Sequence, residues 1–189
     1  MDPRRFNSVF PIYNERWVSK VLNIPLNPGN GPDLVEGDNA VEVKFKLSNA
    51  EGYYHKCWRV LGHQLNYNLD YGYFNWALGF YGLTKKVSDF SEIDLGNVDS
   101  VVTDRKIYLV KGDWMNQFKE YHHSGETKLS KWDYEMIFPK MNDLFPKVTF
   151  SEEVFGGKVF FTEGVDRERF DLNRESFSLN SLVNDNCPF

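Results

Sequence analysis

Asp33, Glu42 and Lys44 are residues whose types and spacing suit one piece of chemistry. They lie in Gly31-Pro32-Asp33-Leu34-Val35-Glu36-Gly37-Asp38-Asn39-Ala40-Val41-Glu42-Val43-Lys44-Phe45-Lys46-Leu47, which reads as two short strands joined by a turn. Gly37-Asp38 is a Gly-first two-residue loop suited to a type II′ hairpin. With Glu36 opposite Asn39, Asp33 falls opposite Glu42 on one face, their Cβ atoms about 5 Å apart. Alternation puts Glu42 and Lys44 together on that face and turns Val41, Val43 and Phe45 toward a core. Two facing carboxylates repel each other, and a divalent cation offsets that better than a nearby lysine does. Mg²⁺ takes one or two protein carboxylates and fills its other positions with water and phosphate oxygens. The pattern is either the charged solvent face of a hairpin or a metal site at a sheet edge beside a fixed ammonium.

The flanking elements must position these groups. Ile12 to Leu22 reads as a helix of about three turns that starts after Pro11. Its apolar stripe runs through Ile12, Val18, Val21 and Leu22, and Glu15 falls inside it. A carboxylate there needs a cation, which is either the metal or Lys44 or a nearby arginine. Pro25 to Pro32 is a loop leading into Asp33. Ser48 or Asn49 can cap a helix from about Ala50 to Leu69, with Tyr54, Cys57, Trp58, Leu61, Leu65 and Leu69 on its apolar face. Gln64 lies at the edge of that face and Tyr67 follows. His55 and His63 read as surface residues, because neither has a partner at metal-binding spacing. Tyr73 to Tyr81 is a nearly continuous apolar strand, buried on both faces.

Pro32-Asp33, eight residues, then Glu42-Val43-Lys44 resembles the signature of the PD-(D/E)xK nuclease superfamily, which includes restriction endonucleases, Holliday junction resolvases and RecB-like nucleases. The order helix, hairpin, helix, strand is similar to its αββαβ skeleton. The resemblance implies a restriction endonuclease-like α/β fold, a central mixed sheet flanked by helices. It also implies Mg²⁺, replaceable by Mn²⁺, held by Asp33 and Glu42 with Glu15 from the first helix, and a catalytic role for Lys44. Gln64 and Tyr67 resemble the Q-x-x-x-Y feature of RecB-like members, at a spacing shorter by one residue.

The bulk properties bound the remainder. A chain of 189 residues is one domain with room for a proper core. Its 41% hydrophobic and 26% charged residues are those of a soluble globular protein. The net charge of −5 argues against coating nucleic acid by bulk positive charge, but not against a metal nuclease with local contacts. Cys57 and Cys187 give no disulfide framework and no cluster spacing, so an intracellular, cytoplasmic location and no Fe–S centre are expected. No apolar run is long enough to span a bilayer.

Further along, Lys85-Lys86 reads as a loop end and Ser88 to Asp104 as an acidic loop. Lys106 to Lys111 reads as a strand, and Asp113 caps a helix to about His122. His122 and His123 do not share a helix face, so they do not read as a metal pair. A helix is expected around Asp133–Phe145, broken by Pro139. A last hairpin joins Val148–Phe150 to Lys158–Thr162 across Gly156-Gly157. Residues 1–163 form the domain, and 164–189 a polar, extended tail.

The function expected is Mg²⁺-dependent phosphodiester hydrolysis in DNA, duplex or branched, by an endonuclease that can act as a homodimer. Glu15, Asp33, Glu42, Lys44 and Gln64 would carry it. The alternatives are an exonuclease, or an inactive domain of the same fold that binds nucleic acid or protein. An oxygen-rich site of this kind should turn over with Mg²⁺ or Mn²⁺ and bind Ca²⁺ without turnover, measured by plasmid nicking. Stimulation by Zn²⁺ alone, lost on changing His55 or His63, would assign the metal to other ligands.

Overall fold

The longest apolar run, Tyr73 to Leu83, becomes the strand on which both cores are built. In a computed structural model, which describes residues 3–48, 57–84, 93, 96–118, 133–137 and 146–175, the chain is a mixed α/β protein. It runs α1 (Pro3–Leu22), β1 (Leu34–Glu36), β2 (Asn39–Leu47), β3 (Cys57–Leu61), a 3₁₀ turn (Gly62–Asn66), α2 (Tyr67–Asp70), β4 (Tyr73–Leu83) and β5 (Val102–Lys111). A 3₁₀ turn (Val98–Ser100) precedes β5, another (Gly112–Phe118) follows it, and β6 (Asp133–Ile137), β7 (Val148–Val154), β8 (Gly157–Thr162) and a 3₁₀ turn (Arg167–Arg169) complete the described elements. Six strands form one mixed sheet in the order β1-β2-β4-β5-β8-β7, and β3 pairs with β6 separately. Within the large sheet β2/β4 and β5/β8 are parallel, and the other neighbours are antiparallel.

Alternation along β4 divides the interior. Phe74, Trp76 and Leu78 face a core with Trp58, Val60, Leu65, Val110 and Met115. Ala77, Tyr81 and Leu83 face the other, where α1 packs through Phe10, Tyr13, Trp17, Val18, Val21 and Leu22. Both faces of the strand are covered, so it reads as an unbroken apolar run.

Several elements differ from the sequence expectation. The first helix begins at Pro3, and Pro11 is an exposed residue within it. Residues 57–61, expected to be helical, form β3: Trp58 and Val60, two apart, are both buried, a strand period. Leu69, placed on the buried face of that helix, is 78% exposed. Asp133–Ile137, also expected to be helical, is the strand that completes this pair. After Lys111 the chain takes a 3₁₀ turn, not an α-helix, and Asp113 pairs with Lys111 at 3.0 Å. The loop expected up to Asp104 gives way to β5 at Val102.

The hairpin register Leu34↔Val41, Glu36↔Asn39 is the expected one, with Gly37 at φ 57°. The strands at 73–81 and 106–111 form as read and extend further. The last hairpin forms too, but its turn is Phe155-Gly156 and Gly157 already belongs to β8, paired with Val154. Beyond Thr162, Phe170 and Leu172 are buried, and the Asn173 N–H donates to the Val21 carbonyl. His55, Lys85-Lys86, His122-His123 and 176–189 lie outside the described residues. No helix of the described residues is long and apolar enough to cross a membrane.

One joint seats α1 on the sheet. Arg105, 4% exposed, lies against Tyr13 and Trp17, 4.6 and 4.9 Å from their ring centres. Trp17 donates its indole N–H to the Phe155 carbonyl at 3.0 Å. A Cβ on Gly157 would stand 2.5 Å from the Arg105 carbonyl oxygen and 2.6 Å from the Trp17 ring. The backbone oxygen cannot swing away, so Gly157→Ala should cost about 1–3 kcal/mol in urea unfolding. An unchanged midpoint would show that the helix is not held at this joint.

Candidate functional site

The large sheet loses a strand beside Glu42. β1 ends its pairing with β2 at Leu34↔Val41, so from Glu42 onward the paired neighbour of β2 among the described residues is β4. An unpaired backbone N–H at Val43 would be costly to bury. Asp33, in the bend before β1, solves this: its Oδ2 accepts the Val43 N–H at 2.7 Å. The Asp33 carboxylate is thus fixed at the open edge of β2, next to Glu42.

Glu42 is 1% exposed and lies on the opposite face of β2 from Val43. Its Oε1 accepts from Lys44 Nζ at 2.5 Å and from the Gln64 amide. Its Oε2 is buried and has no hydrogen-bond partner among the described residues. Burial pushes the Glu42 carboxyl up to about 7, against the pull of Lys44 and helped by Asp33. Asp33 is raised by burial too, and restrained by Lys44 and the Val43 N–H. Burial, then Asp33, push Glu15 up to about 8, with Lys44 opposing.

These mutual effects bring Glu15, Asp33, Glu42 and Lys44 into one neighbourhood. Glu15 arrives by a different route from the one the sequence suggests. The buried stripe of α1 runs through Tyr13, Trp17, Val18, Val21 and Leu22, and Glu15 lies at its edge, half-buried. It meets the open edge of β2, not the sheet face. Gln64 is 8% exposed and is carried by the 3₁₀ turn instead of an α-helix. Residues three apart eclipse in a 3₁₀ turn, and Tyr67, where α2 begins, also senses the site. Burial, then Glu42 and Asp33, push the Tyr67 hydroxyl up to about 12. His63 is exposed, its ring edge-on to Tyr67, and is not part of the cluster.

Asn14 is a residue that sequence reasoning missed. It is 1% exposed, neither polar atom of its amide has a hydrogen-bond partner among the described residues, and it borders a cleft of about 290 Å³ with Glu15, Lys44, Lys46 and Trp58. The expected stripe of this helix runs through Ile12, Val18, Val21 and Leu22 with Glu15 inside it, and an asparagine gives no periodic signal. A buried amide of this kind is uncommon in a folded protein and marks the position beside the cleft.

The residues fit a hard divalent cation. The free Oε2 of Glu42 is a buried oxygen that lacks a partner, and Asp33 and Glu15 add oxygen donors. Ionised, three carboxylates beside one lysine leave two negative charges, the complement of one divalent ion. As they are placed, no group of three or more His, Cys, Asp or Glu side chains among the described residues is arranged to hold a metal ion. Comparison with protein-family models, curated proteins and solved structures finds no match.

Without a cation the raised carboxyls set the pH dependence of stability. Glu15 and Glu42 titrate near 4.5 when unfolded and near 8 and 7 when folded. The stability from their neutral forms is complete below pH 4.5 and is lost as pH rises through 7 and 8. In EDTA the urea midpoint should therefore fall from pH 5 to pH 8.5, less steeply in Glu15→Gln. A profile of the same slope in both proteins would show that Glu15 faces water.

Proposed function

We propose that this chain is a Mg²⁺-dependent nuclease of the PD-(D/E)xK type, hydrolysing phosphodiester bonds in duplex or branched DNA inside the cell. The observation that carries the reading is the buried Glu42, tied to Lys44 and Gln64 with one oxygen left open, beside an Asp33 fixed by the Val43 N–H. The restriction endonuclease-like fold belongs to the same reading. Its supports are the hairpin, the parallel β2/β4 pair and the α1 carboxylate at the open strand edge. The second small sheet is an addition to that skeleton.

Each residue has a task set by its contacts. Asp33, Glu42 and Glu15 would hold the ion, which when bound polarises a phosphoryl oxygen and lowers the pKa of water. Lys44 carries a positive charge to the place where negative charge develops on the scissile phosphate, and its bond to Glu42 keeps it there. Gln64 donates to Glu42 and so orients the open oxygen. Tyr67, kept neutral well above physiological pH, offers a hydroxyl beside the carboxylates. Asn14 lines the approach and can read a substrate group in the cleft. In a homodimer, two such sites would address the two strands.

Glu42→Gln and Asp33→Asn keep shape and remove charge, and Asp33→Asn retains an acceptor for Val43. Each should lower Mg²⁺-dependent plasmid nicking by about 10²-fold or more with the fold intact. Lys44→Met should do the same. Cleavage that survives all three substitutions would overturn the assignment. Binding of DNA without cleavage by the wild type, across Mg²⁺ and Mn²⁺, would point to an inactive binding domain.

A further inference from the structure

Asn75 interrupts the apolar run Tyr73 to Tyr81. It is 6% exposed, and its amide has no hydrogen-bond partner among the described residues. Asn75 is opposite Lys111 in the β4/β5 register, so the two share a face of the sheet. Its neighbour Trp76, the register partner of Glu42, stands on the other face. Asn75 and Lys111 border a cleft of about 280 Å³, at the end of the sheet where β2 and β4 begin and β5 stops. This cleft shares no lining residue with the one beside Glu15 and Lys44. The segment after β8 forms its far wall. There the Arg169 guanidinium lies over the Tyr73 ring, 3.1 Å from its centre, with the arginine side chain 38% exposed. Asn39 donates its amide N–H to the Arg169 carbonyl at 3.2 Å and ties that segment to the start of β2. Lys111 pairs with Asp113 at 3.0 Å, and Arg169 Nε lies 3.5 Å from Asp166. Two cations and two carboxylates therefore border the cleft.

We propose that this cleft binds a single unstacked nucleobase, adenine by preference. The inference goes beyond the nuclease reading and does not need it. A buried amide without a partner is uncommon, and at the wall of a cleft it is satisfied by a ligand with a donor and an acceptor side by side. Adenine presents that pair at N6 and N7, whereas the same edge of guanine presents two acceptors. The Arg169 guanidinium, backed by the Tyr73 ring, supplies a flat surface on which a base can stack. Arg169 and Lys111 already have carboxylate partners, so the rim is balanced in charge and favours a neutral ring over a polyphosphate. The volume lies at the small end of ligand sites, which run from about 300 Å³ upward. A free nucleoside and an unpaired position in a strand both present such a base.

The test is calorimetric titration of the full chain in EDTA. The probes are adenosine, purine riboside (which lacks the 6-amino donor), and a hairpin oligonucleotide with adenine or unsubstituted purine at one unpaired position. The adenine form should bind about tenfold more tightly than the purine form, and in Asn75→Ala the two should bind alike. Arg169→Gln, on the exposed rim, should weaken both about tenfold and keep their ratio. This second variant decides the matter where Asn75→Ala does not fold. Saturation by adenosine assigns a free nucleoside, and binding of the hairpin alone assigns a strand. Equal affinity for adenine and purine, an affinity unmoved by Arg169→Gln, or no binding of any probe overturns the site. Plasmid nicking in Mg²⁺ that persists while every titration is blank loses this site and keeps the nuclease reading. Adenine binding without any nicking keeps the site and loses that reading.

Discussion

The site depends on a strand that stops too early. β1 gives β2 three paired residues and ends, and β2 continues past it through the buried Glu42 and Val43 to a half-buried end at Leu47. A side-chain carboxylate then replaces the missing strand at Val43. That single substitution of Asp33 for a backbone carbonyl brings a charge into the interior, next to Glu42. Had β1 continued, the edge would be closed and Glu15 could not reach it. The resulting cluster is unfavourable by itself: burial raises all three carboxyls, and Lys44 restrains each of them. Removing one partner from a buried charged network costs more than forming the network gains. In this arrangement Lys44 is the cation that restrains all three carboxyls at once.

The opposite face of β2 performs the mechanical task. Val41, Val43 and Phe45 pack with Trp17 and Tyr81 beneath α1, and Arg105 lies against Tyr13 and Trp17 at the same interface. Arg105 is itself a buried cost, its guanidinium lowered to about 10 by burial, with Asp99 opposing and its Nε unbonded. What this arrangement sets is the rotation of α1 about its axis. With Tyr13 and Trp17 turned inward, Asn14 and Glu15 fall at the cleft. A rotation by one residue, about 100°, would take Glu15 away from Asp33.

The legible parts of the sequence were those where a local rule fixes the outcome. Gly37-Asp38 dictates a tight turn, the turn dictates the register, and the register dictates that Asp33 and Glu42 are neighbours. Tyr73 to Tyr81 could only be a strand buried on both faces. The hidden parts depended on partners distant in sequence. Cys57–Leu61 fits a helical stripe as well as an alternating one, and its pairing with Asp133–Ile137 decides for the strand. Gln64 was found on the wrong element for a sound reason: its neighbourhood to Tyr67 survives the change from α-helix to 3₁₀ turn. Asn14 could not be found, because an unsatisfied amide is a property of its surroundings. Pro11 marks the start of the helix in the sequence reading, yet the helix begins at Pro3 and passes through Pro11, which is exposed.

The elements that supply the site differ in how firmly they are held. Glu42 and Lys44 are borne by β2, hydrogen-bonded along its length to β4, whose residues beyond Tyr73 are all buried. Such strands are among the last parts of a protein to open. Asp33 comes from a bend, Gln64 and Tyr67 from a short turn, and Glu15 from a helix held at one joint. The pair on β2 is thus met by three contributions, from a bend, from the turn that leads into α2, and from α1. Glu42 serves as the fixed reference: Lys44 and Gln64 both bond to its Oε1, and its Oε2 is left to whatever enters the site. Precision in such a site follows from where the central carboxylate is anchored, and the anchor is the parallel pairing of β2 with β4.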